Sequence, residues 1–193
     1  MGAGSSKAGA AYLQDTETTI LKLNNRTPAL TVLPPDVSQL VKLEVLELDG
    51  HQLKTLPASM HQLTSLNKLS VASNKLIDVP ESIFLHCVML ETIYFSHNQL
   101  KTLPAALGSL VNLKRLWCDH NRLEALPSSI GGLKDLEELN VAGNKSLTAL
   151  PETITQCTKL QTLWLKGNKK LLASHGGYAA HIKAQLPSLT VMD

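Results

Sequence analysis

The sequence predicts an α/β solenoid, in which successive coils of the chain each add one short strand to a parallel β-sheet. Two observations support this prediction. Apolar residues recur with one spacing from Leu40 to Leu165, and an Asn stands three residues after the last apolar residue of five predicted strands: Asn74, Asn98, Asn121, Asn144 and Asn168. A coil of this kind cannot bury its own apolar side, so it stacks on the coils before and after it.

Equivalent leucines measure the length of the repeat. They stand at Leu43, Leu66, Leu90, Leu113, Leu136 and Leu160, so successive coils are 23 or 24 residues long. The two longer coils each have one extra residue, between Ile83 and Leu90 and between Asn144 and Leu147. Both lie outside the predicted strands, so we expect the sheet to keep its register. This is the leucine-rich-repeat pattern, which predicts a parallel sheet on the concave face and short turns or 3-10 segments on the convex face.

Each coil begins with a strand, followed by a turn and a return path. The strands surround Leu46 to Leu48 and its equivalents, with the flanking apolar residues inward and the central residue outward. The Asn that follows can bond backbone groups that the turn leaves unpaired. His51 takes this position in the first full coil, so we expect its turn to be the least regular. The Leu-Pro pairs predict the convex return path, because Pro lacks a donor for a central strand.

The two ends of a solenoid need covers, since an open end exposes apolar core. We expect a flexible leader of residues 1–17 and one complete domain of residues 18–193. Within that domain, residues 18–39 form an N-terminal capping repeat, residues 40–174 the repeats and residues 175–193 a C-terminal cap. In this cap, residues 179–186 have helical spacing and stop at Pro187, and residues 188–193 look like a closing strand.

Composition excludes several classes of protein. Lys and Arg number 18 and Asp and Glu 16, interspersed, so no basic footprint predicts nucleic-acid binding. No apolar run approaches the roughly 18 residues of a membrane helix, and the N-terminus lacks the apolar stretch of a secretory signal. The three cysteines, Cys87, Cys118 and Cys157, occupy ladder positions and are expected to be buried hydrophobes. Neither cap carries paired cysteines, so we expect a cytoplasmic protein.

The first six residues fit the pattern for N-myristoylation at Gly2. The alternative is a plain disordered leader. One myristoyl chain binds membranes with a constant of only about 10⁴ M⁻¹, so any attachment through Gly2 should be reversible or secured by a partner.

Outward-facing residues at the strand centres predict a column across the concave sheet: Lys22, Glu47, Ser70, Tyr94, Trp117, Asn140 and Trp164. Both tryptophans of the chain lie in this column, and exposed Trp and Tyr dominate the binding energy of protein interfaces. The predicted partner-binding residues are therefore Tyr94, Trp117, Trp164, His97, Arg115, Asp119 and His120. Two alternatives remain open: the rings cover one another, or the C-terminal cap covers Trp164.

His97 and His120 stand at the same position of adjacent coils, beside Asp119. Two His and a carboxylate could hold a metal. Neighbours in a continuing strand, however, point to opposite faces, and surface His pairs are common. No metal, cofactor or catalytic residue is therefore expected, and no phosphate loop, zinc spacing or nucleophile elbow is present in the sequence.

Two resemblances bear on function. The Leu-Pro-x-x-Ile/Leu repeats, as at residues 103–107 and 126–130, resemble those of Shoc2-like scaffolds and plant intracellular Ras-group proteins. The C-terminal helix, Pro and final Met192-Asp193 resemble the cap of the Sds22-type phosphatase-1 regulators and axonemal dynein light chain 1, although Met replaces the usual Leu. The whole arrangement is also similar to small myristoylated leucine-rich-repeat proteins.

These resemblances imply a non-catalytic signalling adaptor or scaffold that binds another protein on its concave face and is monomeric on its own. The alternatives are a permanent structural subunit of a large assembly such as an axoneme, or a phosphatase or GTPase regulatory subunit. The protein would then be cytoplasmic, peripheral at a membrane, or in a flagellum or cilium.

Overall fold

A computed structural model of the chain describes residues 13, 15–174 and 178–193. Eight strands form one parallel sheet whose order is that of the chain. They are β1 (Ile20–Lys22), β2 (Val45–Glu47), β3 (Lys68–Ser70), β4 (Thr92–Tyr94), β5 (Arg115–Trp117), β6 (Glu138–Asn140), β7 (Thr162–Trp164) and β8 (Thr190–Met192). This architecture confirms the predicted leucine-rich-repeat solenoid. The expected acylation site, Gly2, lies outside the described residues.

The register of the sheet is continuous from β1 to β8. The middle residue of each strand pairs with the middle residue of the next, and the two insertions cause no slip, as predicted. The third residues of the strands therefore form one line, here called the concave row: Lys22, Glu47, Ser70, Tyr94, Trp117, Asn140, Trp164 and Met192. The row contains every residue of the predicted column and adds Met192 from the closing strand.

The core is the stacked ladder of apolar side chains behind the sheet. Leu43, Leu66, Leu90, Leu113 and Leu136 are fully buried. The three cysteines lie in the same ladder as free, buried thiols, which confirms their predicted role. Burial raises the pKa of the Cys87 and Cys157 thiols to about 11, so the thiolate is disfavoured. The Cys87 and Cys157 thiols also donate to the carbonyls of Met60 and Ile130.

In the part of the chain that the structure describes, the convex face consists of short helical segments that begin after the predicted Leu-Pro pairs or, for one segment, after Val79-Pro80. Five are 3-10 helices: Pro35–Gln39, Ala58–Gln62, Ala105–Ser109, Ser128–Gly132 and Glu152–Gln156. The sixth, α1 (Glu81–His86), is α-helical and has one residue more. Its cap N–H, on Cys87, bonds the carbonyl of Ile83 four residues back, whereas that of Leu63 bonds Met60 three residues back. The first insertion is therefore absorbed by widening a 3-10 turn into an α-turn.

The asparagines form a second ladder, along one edge of the core. Asn121 is typical: its Nδ2 donates to the carbonyl of Phe95 in the preceding coil at 2.9 Å, and its Oδ1 accepts from the N–H of Leu100 at 3.0 Å. His51 makes the corresponding bonds with its ring, accepting from Leu30 N–H at Nδ1 and donating from Nε2 to Leu23 O. An imidazole thus replaces the amide, because it also combines one acceptor with one donor.

The C-terminal end contains α2 (Lys169–Ser174), α3 (Tyr178–Gln185) and β8. The helix expected before Pro187 is confirmed as α3, and the closing strand as β8. Helix α2 was not predicted, since fewer than two helical turns are too short to show a helical period. Within the part of the chain that the structure describes, no helix combines the length and the apolar character that crossing a bilayer requires.

Candidate functional site

The aromatic residues of the concave row form one chain of rings across the sheet. Tyr94 and Trp117 lie edge to face, with centroids 5.2 Å apart and an interplanar angle of 71°. Trp117 in turn meets Trp164 at 6.0 Å and 60°. Such edge-to-face pairs stabilise a protein by more than the burial of their apolar area alone. All three side chains are consequently half-buried rather than exposed, so the predicted exposure of the tryptophans was too high.

Trp117 and Trp164 meet although they lie two strands apart, a separation of about 9.6 Å for ordinary strand spacing. Asn140 occupies the strand between them. Its side-chain oxygen accepts a hydrogen bond from the Ala142 backbone N–H at 3.1 Å. This bond holds the short Asn140 side chain against the end of its own strand. The two indoles meet in the space that it leaves free.

Glu138, in β6, holds the neighbouring residues of β5 in place. Its Oε1 accepts from Arg115 Nε at 3.4 Å and its Oε2 from the Trp117 indole N–H at 3.3 Å. Arg115 and Glu138 are register partners across the two strands. The indole N–H is therefore already bonded within the protein, and the apolar faces of Trp117 are the part of its surface suited to a partner.

The N-terminal half of the concave row carries an ion-pair group, in which Glu47 lies between Lys22 of the row and Lys68 beside it. Glu47 accepts from Lys68 Nζ at 2.7 Å and lies 3.4 Å from Lys22 Nζ. The hydrogen bond from Lys68 lowers the pKa of the Glu47 carboxyl and outweighs the opposing effect of burial. The same Lys68 ammonium lies 5.5 Å from the centre of the Tyr94 ring, in a cation–π arrangement.

A recess of about 380 Å³ opens beside the aromatic chain, towards the C-terminal ends of the strands. Its floor and walls are Asp49, Ser70, Ala72, Tyr94, Ser96, His97, Trp117, Asp119 and Asn140. Ser hydroxyls fix both carboxylates, because Ser70 Oγ donates to Asp49 at 2.7 Å and Ser96 Oγ donates to Asp119. The recess thus combines aromatic walls with preorganised polar groups, the usual composition of a binding site.

His97 and His120 stack face to face at the rim of this recess. Their ring centroids are 4.5 Å apart and the rings are nearly parallel, at 8°. Asp119 lies beside them, with Oδ2 4.0 Å from His97 Nε2. The strand alternation that would place Asp119 and His120 on opposite faces does not apply here, because β5 ends at Trp117 and His120 has a positive φ of 52°.

The structure brings all seven predicted partner-binding residues onto one face, between β4 and β7. The contributors that were not predicted include Asp49, which lines the recess, and Glu138, which holds Arg115 and Trp117. Glu138 stands 23 residues after Arg115, one repeat along the chain. The repeat length would have placed the two charges side by side on adjacent strands, so a signal for this pair was present in the sequence.

Comparison with known proteins supports the repeat assignment. Two family models match, one for the leucine-rich repeat over residues 64–123 and one for two copies of the repeat over residues 111–152. No curated protein matches the sequence.

Several solved structures are similar to the chain. A leucine-rich-repeat protein of Leptospira interrogans is 26% identical, with a TM-score of 0.70 over 94% of this chain and 50% of its own. The ectodomain of the Arabidopsis thaliana receptor kinase GASSHO1/SCHENGEN3, in complex with CASPARIAN STRIP INTEGRITY FACTOR 2, is 31% identical, with a TM-score of 0.70 over 78% of this chain and 18% of its own. The plant peptide hormone receptor RGFR1, in complex with RGF2, is 26% identical, with a TM-score of 0.63 over 79% of this chain and 29% of its own.

This chain therefore spans half the length of the bacterial protein and less than a third of either plant receptor. The repeat spacing, the eight-stranded parallel sheet and these likenesses lead to one conclusion: the chain is a leucine-rich-repeat solenoid.

Proposed function

We propose that this protein is a non-catalytic adaptor that binds a partner protein on its concave face. The observation that carries the proposal is the continuous chain of rings formed by Tyr94, Trp117 and Trp164. Burial of one ring against another serves folding, but these three keep their remaining surface on the open face of the sheet. Aromatic side chains near the centre of an interface supply most of its binding energy.

The dimensions of the surface favour a short extended segment of the partner. The rings span β4 to β7, about 14 Å at ordinary strand spacing, which an extended segment of about four residues covers. Apolar side chains of that segment would pack on the ring faces. Its backbone N–H groups would find acceptors in the recess, where the Asp49 and Asp119 carboxylates are already oriented by Ser70 and Ser96.

The solved relatives support a protein or peptide as the ligand. The two plant receptors were determined in complex with CASPARIAN STRIP INTEGRITY FACTOR 2 and with RGF2. A fold alone does not assign a function. The proposal therefore rests on the aromatic surface of this chain, and the relatives show that similar solenoids bind partners of this kind.

Site-specific photo-crosslinking tests the proposal. A photoreactive residue at Lys166, an exposed position two residues after Trp164, should capture the partner in cells, and mass spectrometry would identify it. The matched control carries the same residue at Ser128, which is exposed on the convex face. Capture of one protein from Lys166 and not from Ser128 is expected. Capture from Ser128 alone would place the interface on the convex side.

We further propose that Gly2 is myristoylated and that the protein is a cytoplasmic one that attaches reversibly to membranes. The support is the Met-Gly leader with Ser6 at the sixth position. Protein made in a eukaryotic host should lose Met1 and gain one fourteen-carbon acyl group, and Gly2→Ala should abolish the gain. An unmodified N-terminus in that host would contradict this proposal and leave the concave site unaffected.

A further inference from the structure

His97, Asp119 and His120 form a compact group of metal-ligating side chains at the rim of the recess. One ligand atom from each lies within 4.8 Å of the others. The 4.0 Å between His97 Nε2 and Asp119 Oδ2 is too long for a hydrogen bond. The polar atoms that face one another in this group are therefore close together without being bonded to each other.

The backbone at the two histidines has the left-handed conformation that the other coils adopt at the same position, three residues after the end of the strand. His97 and His120 have φ values of 56° and 52°, in the left-handed region. Glycines with positive φ occupy the equivalent position in three other coils: Gly50, Gly143 and Gly167. Backbone sterics disfavour a side chain in this conformation relative to Gly, although His tolerates it better than most residues. Asn25 and Ser73 hold the position in two further coils. His97 and His120 differ from these in placing two imidazoles in adjacent coils beside Asp119.

Residues on both sides of the three side chains help to hold them in position. A Cβ at Gly143 would lie 2.8 Å from His120 Nδ1, so the Gly in the next coil leaves the space that the ring occupies. On the other side, Ser96 Oγ donates to Asp119 Oδ1 and leaves Oδ2 towards His97. In metal sites, hydrogen bonds from residues that do not themselves touch the metal orient the carboxylate ligands.

We propose that His97, Asp119 and His120 bind a divalent transition-metal ion of the zinc class. Two imidazole nitrogens and one carboxylate oxygen are a donor set that suits such an ion. Zinc–ligand bonds of about 2.0–2.1 Å place tetrahedral donors about 3.3 Å apart. Closing from at most 4.8 Å to that separation requires the two stacked rings to rotate out of their parallel arrangement, and both histidine side chains are exposed. Three protein ligands leave a fourth position for water or for a donor atom of a bound partner.

The test is metal binding by the purified full-length chain, measured with Zn²⁺ by calorimetry and with Co²⁺ by visible absorption. The parent should bind one ion at this site and show the intense band of tetrahedral Co²⁺. His97→Asn and His120→Asn keep a residue that tolerates the left-handed backbone. Each should weaken binding by at least the roughly 10–100-fold that loss of an outer-shell partner costs. Ser96→Ala should weaken it by about 10-fold or more on the same ground.

The matched control is a second His pair, half-buried His61 and exposed His86, whose rings lie 5.2 Å apart on the convex face. Their Nδ1 atoms bond the carbonyls of Ala58 and Ser82. His61→Asn/His86→Asn should bind the metal like the parent. Unchanged affinity and Co²⁺ absorption in a folded His97→Asn/His120→Asn variant would overturn the proposal. Loss of the site in the control variant, or no tetrahedral Co²⁺ band in the parent, would overturn it equally.

Discussion

The backbone N–H of Leu147 donates to the carbonyl of Asn144 at 2.9 Å, and the side-chain oxygen of Asn168 has no hydrogen-bond partner among the residues that the structure describes. In the four preceding pairs of coils the corresponding N–H donates to the Asn Oδ1 one repeat ahead, as from Leu123 to Asn144 at 2.9 Å. The extra residue between Asn144 and Leu147 closes a local turn and diverts the donor. The second insertion thus leaves the sheet intact but interrupts the asparagine ladder.

This difference predicts unequal costs for removing two asparagines. Asn121→Ala should lower the free energy of unfolding by about 1–3 kcal/mol, because buried backbone groups lose their partners. Asn168→Ala should cost less, since within the part of the chain that the structure describes its Oδ1 accepts no hydrogen bond and its Nδ2 donates to Val141 O alone. Denaturant melts of both variants would measure the difference. A larger loss for Asn168→Ala would mean that its oxygen has a partner in solution.

A substitution at Leu116 tests whether the predicted apolar residues are the buried core of the repeats. Leu116→Ala should destabilise the protein by about 2–5 kcal/mol, because the side chain is fully buried and its removal leaves a cavity. Lys101→Ala, at an exposed position, should cost less than about 0.5 kcal/mol. Chemical denaturation gives both values. Equal losses at the two positions would contradict the assignment of inward and outward residues.

The cysteines offer a test of burial that needs no substitution. The chain has three, all buried and free, and burial raises the pKa of each thiol. A thiol reagent at neutral pH should therefore react with none of them in the native protein and with all three in denaturant. Rapid labelling of one thiol under native conditions would show that its coil opens or is placed incorrectly.

Glu47 should make stability depend on pH. Its pKa is lowered in the folded protein, chiefly by the hydrogen bond from Lys68. The resulting stabilisation is complete above about pH 4.3, the ordinary value for Glu, and is lost as the pH falls through the lowered pKa. It should amount to about 1 kcal/mol, since the lysines remain partly exposed. Melts from pH 7 to pH 2 should show this loss in the parent and much less of it in Glu47→Gln and Lys68→Met.

Much of the fold follows from the sequence, because one period governs it. The spacing of leucines placed each strand, the concave row and both insertions, and the Leu-Pro pairs placed the convex segments. Helix α2 was missed because it is too short to show a period. The widening of the turn at α1 and the diversion of Leu147 N–H were also beyond prediction, since each depends on how a single extra residue is accommodated locally.

The candidate site was predictable in membership but not in geometry. Strand alternation placed Tyr94, Trp117 and Trp164 on one face, yet it could not show that the indoles lean together over Asn140. Two arguments counted against the cluster of His97, Asp119 and His120: strand alternation would separate Asp119 from His120 unless the strand had already ended, and surface His pairs are common. The early end of β5, followed by a residue in the left-handed conformation, brings the three side chains together.

The central claim is that the aromatic chain on the concave face anchors the partner. Trp117, at its middle, contacts both other rings. The test therefore substitutes Trp117 by Ala. Its control is Ser128→Ala, which alters only the exposed convex side. Trp164→Ala should also weaken binding, by an amount that depends on how far the partner reaches beyond β6.

Calorimetric affinity of Trp117→Ala for the purified partner, beside a thermal melt of the same variant, is the most direct measurement. The account predicts a folded protein whose binding is weaker by about 2 kcal/mol or more, roughly thirtyfold, with Ser128→Ala binding like the parent. Full affinity in a well-folded Trp117→Ala protein would contradict it and move the binding site off the concave face.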